Sequence, residues 1–220
     1  MRSTDTHLAA RARSILPLIG RSGLRLEGLI ISLLICLSLS AQDFSADRDL
    51  FAAYQKEDMS VWKEYIDSLS TLLYEYGYCG YIVAEAKKEG KEVLMPAAKA
   101  YVAQFRKQVE AQKGQLPIGH YEMYMSAVLV YELRLHESMR PIKAMSLAKE
   151  ATKLAPNDPL VLSYYGTSLF YAPKPFGSKA EALAWFEKAD KFFKGPQWEY
   201  CWVREATEMY IQQCHEKLKK

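Results

Sequence analysis

The chain has no run of 20 apolar residues, no stretch of strict apolar/polar alternation, no charge excess beyond its first 41 residues, and few histidines and cysteines. Each absence excludes something. A membrane-spanning helix needs about 20 consecutive apolar residues, whereas the most apolar stretch here, Leu29 to Leu39, reads LIISLLICLSL. Half-buried strands announce themselves by period-two alternation with β-branched enrichment, so the fold is expected to be all-α. The net charge of +3 sits entirely in residues 1–41, where Arg2, Arg11, Arg13, Arg21 and Arg25 face only Asp5 and Glu27. Of the 29 basic and 26 acidic side chains, 24 of each remain after that segment. Phosphate backbones are bound by surplus Lys and Arg that release counterions, so no nucleic-acid partner is expected.

Chemistry-bearing patterns are equally sparse. After residue 41 the histidines are His120, His136 and His215, none at the four-residue spacing of H-E-x-x-H, and no paired-Cys pattern exists, so no metal is expected. Neither a G-x-S-x-G elbow nor a G-x-x-x-x-G-K-[ST] phosphate loop occurs, and Gly77-Tyr78-Cys79-Gly80 is expected to be a helix break. With no acid, base and nucleophile that can be named together, no enzymatic activity and no cofactor are expected. Cys201 and Cys214 fall on one expected helix, about 20 Å apart and beyond the reach of a disulfide. The three cysteines after residue 41 read as small buried hydrophobes, with Cys79 bridged to Cys201 or Cys214 as the alternative.

What is present begins with a leader. An Arg-containing stretch, the apolar run Leu29 to Leu39 and the small residues Ser38, Ser40 and Ala41 have the order of a secretory signal. Cleavage near Ser40 or Ala41 would release a protein without an integral span, exported to the periplasm, envelope or exterior. An uncleaved anchor is the alternative fate. Ile35 before Cys36 argues against lipidation, which wants a small residue there.

From Asp43 onward apolar residues recur at helical spacing. Helices are expected over 44–55, from Ser60 to a break at Gly77 and Gly80, over 81–88, 93–113, 119–137, 141–154, 159–171, 178–193 and 197–218. Asp158 before Pro159 has the chemistry of a helix cap and first turn, and Ser178-Lys179-Ala180-Glu181 has the spacing of a capping box. All 27 aromatics follow the leader; Tyr74, Tyr76, Tyr78 and Tyr81 cluster, and Trp198, Trp202, Ala206, Tyr210, Cys214 and Leu218 form a row four residues apart on the last expected helix.

Helix pairs joined by short turns invite a search for repeats. Ala144, Ala148 and Ala151 recur as Ala182, Phe186 and Ala189, each 38 residues on. Residues 157–194 resemble a tetratricopeptide repeat (TPR): Leu162, Tyr165, Gly166 and Leu169 stand at its W-x-x-L-G-x-x-Y positions, and Ala182, Phe186 and Ala189 at its A-x-x-x-F-x-x-A positions. Leu162 replaces the usual Trp, Leu169 replaces the Tyr, and the gap from Gly166 to Ala182 is four residues longer than the motif's. The resemblance implies a TPR-like solenoid of antiparallel helix pairs over 118–220, with 42–117 as a helical region packed on it. It also implies an exported, non-catalytic module that binds a protein or peptide in a groove built by the first helix of each pair. In the register of Gly166, Ser163, Thr167, Phe170 and Tyr171 are expected to face that groove, the last two as exposed aromatics. Tyr121, Tyr124 and Tyr131 along the preceding first helix are further candidates. A small-molecule-binding component of a transport system is the alternative, and would require a closed, largely apolar pocket.

Overall fold

The computed structural model describes residues 47–219 apart from Glu57, Ser70, Thr71 and Ser138, with the backbone alone over 65–69. The expectations for residues 1–41 lie outside these residues. The described residues form one compact unit. The described residues contain α1 (Arg48–Gln55), α2 (Met59–Leu69), α3 (Leu72–Glu85), α4 (Met95–Ala111), α5 (His120–Arg134), α6 (Pro141–Leu154), α7 (Pro159–Tyr171), α8 (Lys179–Asp190) and α9 (Trp202–Leu218), and no strand. Short 3-10 turns occupy Glu92–Leu94 and Pro196–Trp198.

The sharpest boundaries follow the capping chemistry. Asp158 accepts the Leu160 and Val161 amides at the head of α7, satisfying two of the donors that a helix start leaves open. The same carboxylate meets His120 Nε2 at 2.9 Å, which pins the start of α5 to the start of α7. Ser178 accepts the Glu181 amide at 3.0 Å and opens α8.

Three boundaries differ from expectation. The helix expected from Ser60 is in two pieces, α2 ending at Leu69 and α3 opening at Leu72. Gly77 and Gly80 do not end a helix; both lie inside α3. A β-carbon at Gly77 would overlap the Trp62 ring and approach the Trp202 ring to 3.0 Å, and one at Gly80 would stand 3.0 Å from the Tyr131 hydroxyl. These glycines give up about 1 kcal/mol each of helix propensity and admit three large rings against the helix backbone. The last helix starts at Trp202 and not near Gln197, because Gly195 turns the chain at φ 105° into a separate 3-10 turn.

Every helix packs on the next. In addition α3 touches α5, α5 touches α7 and α7 touches α9, so these four make a row, and α4, α6 and α8 each bridge two of its members. The residues 38 apart behave alike: Ala144, Ala148, Ala151, Ala182, Phe186 and Ala189 are all buried. At Gly166 of α7 an added β-carbon would lie 2.8 Å from the Phe186 ring of α8. Ser163 meets Thr207, and Phe170 meets Tyr210, so α7 and α9 run in the same direction.

The N-terminal helices close on the last one. Trp62 of α2 lies 5.5 Å from Trp202, Tyr54 of α1 lies 5.7 Å from it, and Arg48 donates to the Tyr200 hydroxyl at 2.9 Å. Trp62 itself is buried and donates to Leu50 O at 2.8 Å, which locks α2 to α1. Cys79, Cys201 and Cys214 are buried free thiols, as the reading of them as small hydrophobes expects, and the bridge from Cys79 is not formed.

Candidate functional site

A cleft of about 110 Å³ opens where the α3–α5–α7–α9 row meets α1. Tyr54, Tyr76, Tyr164, Trp202 and Tyr210 supply its aromatic surface, and Ser163 and Thr167 its hydroxyls. Tyr76 is the hub, with its ring 5.8 Å from both Tyr164 and Trp202 and stacked on Tyr131 at 6.1 Å. Among the described residues no carboxylate, imidazole or amine lines the cleft. Burial first, then the neighbouring Tyr164, pushes the Tyr76 phenol far above its ordinary range. Burial likewise raises Tyr164 to about 12. The wall is therefore uncharged at any physiological pH.

The hydroxyls are held from behind. Ser163 Oγ and Thr207 Oγ1 share a hydrogen bond of 2.7 Å, and Thr207 donates to Val203 O at 2.7 Å. That assigns the Ser163 proton to Thr207 and leaves Ser163 Oγ an acceptor's lone pair. Thr167 donates back to Ser163 O at 3.0 Å, a local bond typical of hydroxyls inside helices, so its oxygen too can accept. Tyr164 donates to Ser126 Oγ at 2.8 Å, and Ser126 to Ala144 O at 2.7 Å, fixing one wall through two helix pairs.

Of the residues expected to face a groove, Ser163 and Thr167 do line the cleft, and Phe170 and Tyr171 do not. Phe170 is not an exposed aromatic: it is 2% exposed, because α9 lies along that face of α7 and seats Tyr210 against the ring at 5.2 Å. Tyr171 is 66% exposed, and its hydroxyl shares a 3.1 Å bond with that of Tyr210. Tyr124 and Tyr131 are buried, and Tyr131 donates to Tyr76 O, so both pack the row from inside instead of presenting a surface. Tyr121 is half-buried beneath the Lys113 ammonium, 4.9 Å away. The aromatic residues missed are Tyr54, Tyr76, Tyr164, Trp202 and Tyr210. The four-residue row on α9 pointed to two of them; for Tyr54, on a short helix without a motif, there was no signal.

Other reactive groups lie apart from the cleft. Cys79 is buried, and burial, then Glu75, pushes its thiol far up, which leaves it protonated. Glu75 is itself 5% exposed in a pinhole of about 10 Å³ beside Tyr78, Cys79 and Tyr101. Its Oε1 has no hydrogen-bond partner, and burial raises its carboxyl to about 7. His120 is committed to Asp158, and no group of three or more potential metal ligands occurs among the described residues. Compared with known proteins, the chain matches no family model, no curated protein and no solved structure, so any statement of function rests on the geometry of this cleft.

Proposed function

We propose that the chain is an exported, non-catalytic binding protein that seats one side chain of a peptide or protein partner in the cleft between α3, α7 and α9. The observation that carries this is the wall: aromatic rings and acceptor hydroxyls, with no charged group, around a space of side-chain size. An apolar cavity of about 150 Å³ takes a benzene ring, whereas pockets for drug-sized ligands run to about 300–1,000 Å³. At about 110 Å³ the cleft suits a leucine-sized group and is small for a transported solute, which favours the peptide over the transport alternative. The row of helices two apart in sequence supports a TPR-like solenoid as the architecture, with Gly166 and the repeated small residues at its close contacts.

Thr167→Trp tests the cleft by filling it. Affinity capture from the native envelope fraction, with mass spectrometry, is expected to lose its partners with this variant while circular dichroism stays that of the wild type. Identical capture by both proteins would sink the proposal. Export rests on the order of charges and apolar residues over 1–41. N-terminal sequencing of protein recovered outside the cytoplasm should begin near Ala41 to Asp43, and material still starting at Met1 would contradict it.

A further inference from the structure

Beyond the cleft, where α9 covers Phe170 of α7, two lysines approach that ring. Lys179 Nζ lies 3.7 Å from the centroid of the Phe170 ring and donates to Phe170 O; Lys217 Nζ lies 4.8 Å from the same centroid. Two ammonium groups thus share one buried ring. Neither forms an ion pair with a carboxylate among the described residues, and Glu187, on the same helix as Lys179, faces His215 at 4.0 Å. Burial, and then Lys217, push the Lys179 ammonium down, and no carboxylate opposes them. Like charges held together without a counter-charge are stabilised by any anion that bridges them.

This pair is continuous with the cleft. Tyr210 lines the cleft and packs on Phe170 at 5.2 Å, and the exposed Tyr171 hydroxyl joins Tyr210 from the rim. Lys217 follows Tyr210 by seven residues of one helix, about 10 Å along its axis, which about three residues of extended peptide would span. We propose that the partner is an acidic peptide, with an apolar side chain in the cleft and a carboxylate about three residues away on Lys179 and Lys217. This rests on the cleft being the binding site.

The test uses the full chain and fluorescein-labelled seven-residue peptides that carry one Leu and one Glu at every spacing up to five, with Glu→Gln and Leu→Gly controls. By fluorescence polarisation at low salt, the Glu peptide at a spacing near three is expected to bind about fivefold tighter than its Gln counterpart, the scale of a partly exposed ion pair. The preference should shrink with added salt. Because Lys179→Met also removes a hydrogen bond at a helix end, Lys217→Glu at its exposed position carries the mutational arm, and it should invert the preference. Equal binding of Glu and Gln peptides overturns the acidic partner and leaves the cleft standing. No binding of any peptide overturns both. Binding of Glu peptides irrespective of the Leu, displaced by millimolar inorganic phosphate, would mark the lysines as a site for free anions and overturn the peptide.

Discussion

Glu75 is the residue whose chemistry most conflicts with its place. Its carboxyl sits among Tyr78, Cys79 and Tyr101 with one oxygen unbonded, and no cation among the described residues offsets its burial. With a carboxyl raised from 4.5 to about 7, the folded chain binds the Glu75 proton more tightly than the unfolded chain does. Its contribution is therefore fully present below about pH 4.5, falls as pH rises toward 7 and stays lost above that, the whole effect being about 3 kcal/mol. Asp158 tends the other way: although burial pushes it up, the His120 bond and charge and two amides hold it below its ordinary value. Only the difference from a Glu75→Gln variant isolates Glu75. Urea unfolding at pH 5 and pH 8 should show the variant gaining on the wild type by up to about 3 kcal/mol at the higher pH. Parallel changes in the two proteins would mean that Glu75 is solvated in solution.

At the scale of elements, what could be read from the chain were features whose cause is local. Asp158-Pro159 and Ser178 to Glu181 start helices by hydrogen bonds made within three residues, and both boundaries stand where that chemistry puts them. The buried positions 38 residues apart follow from helical period alone. Gly77 and Gly80 could not be read this way, since glycine carries the same signature at a helix end and at a close contact. What decides between the two is, for Gly77, a tryptophan fifteen residues upstream and another on the last helix, and for Gly80 the Tyr131 ring of α5. The site divides along the same line: Ser163 and Thr167 were legible from the register of one helix, while the covering of Phe170 depends on where α9 lies. The glycine account is open to a double-mutant cycle. Gly77→Ala should destabilise the wild type by about 1–3 kcal/mol through overpacking, yet cost little or even stabilise in a Trp62→Leu background, where helix propensity favours Ala by about 1 kcal/mol. Stabilisation in both backgrounds would show that the rings do not need the glycine.

Across the whole molecule, the first and last described helices meet. A linear helical array is held by nearest-neighbour contacts and can lose its ends piecemeal. Here Tyr54 and Trp62 pack on Trp202, and Arg48 reaches Tyr200. The full chain is accordingly expected to unfold in one transition, coincident by tryptophan fluorescence and far-ultraviolet circular dichroism. In Trp202→Ala the two curves should separate as α1 and α2 melt first. Curves that still coincide would place the cooperativity in the row of helices and not in the closure.

The same closure sets a tempo. Most contacts in this fold join helices adjacent in sequence, and such contacts form on the microsecond to millisecond scale. The bond from Arg48 to Tyr200 spans 152 residues, and its loop entropy must be met before any of its energy is returned. If α3 to α9 assemble first, that segment is already ordered and the remaining search is only the swing of α1 and α2 onto Trp202. Because Tyr54 is part of the cleft wall, refolding chains would gain their helices before their binding site, and competence to hold a partner would lag behind ellipticity in time.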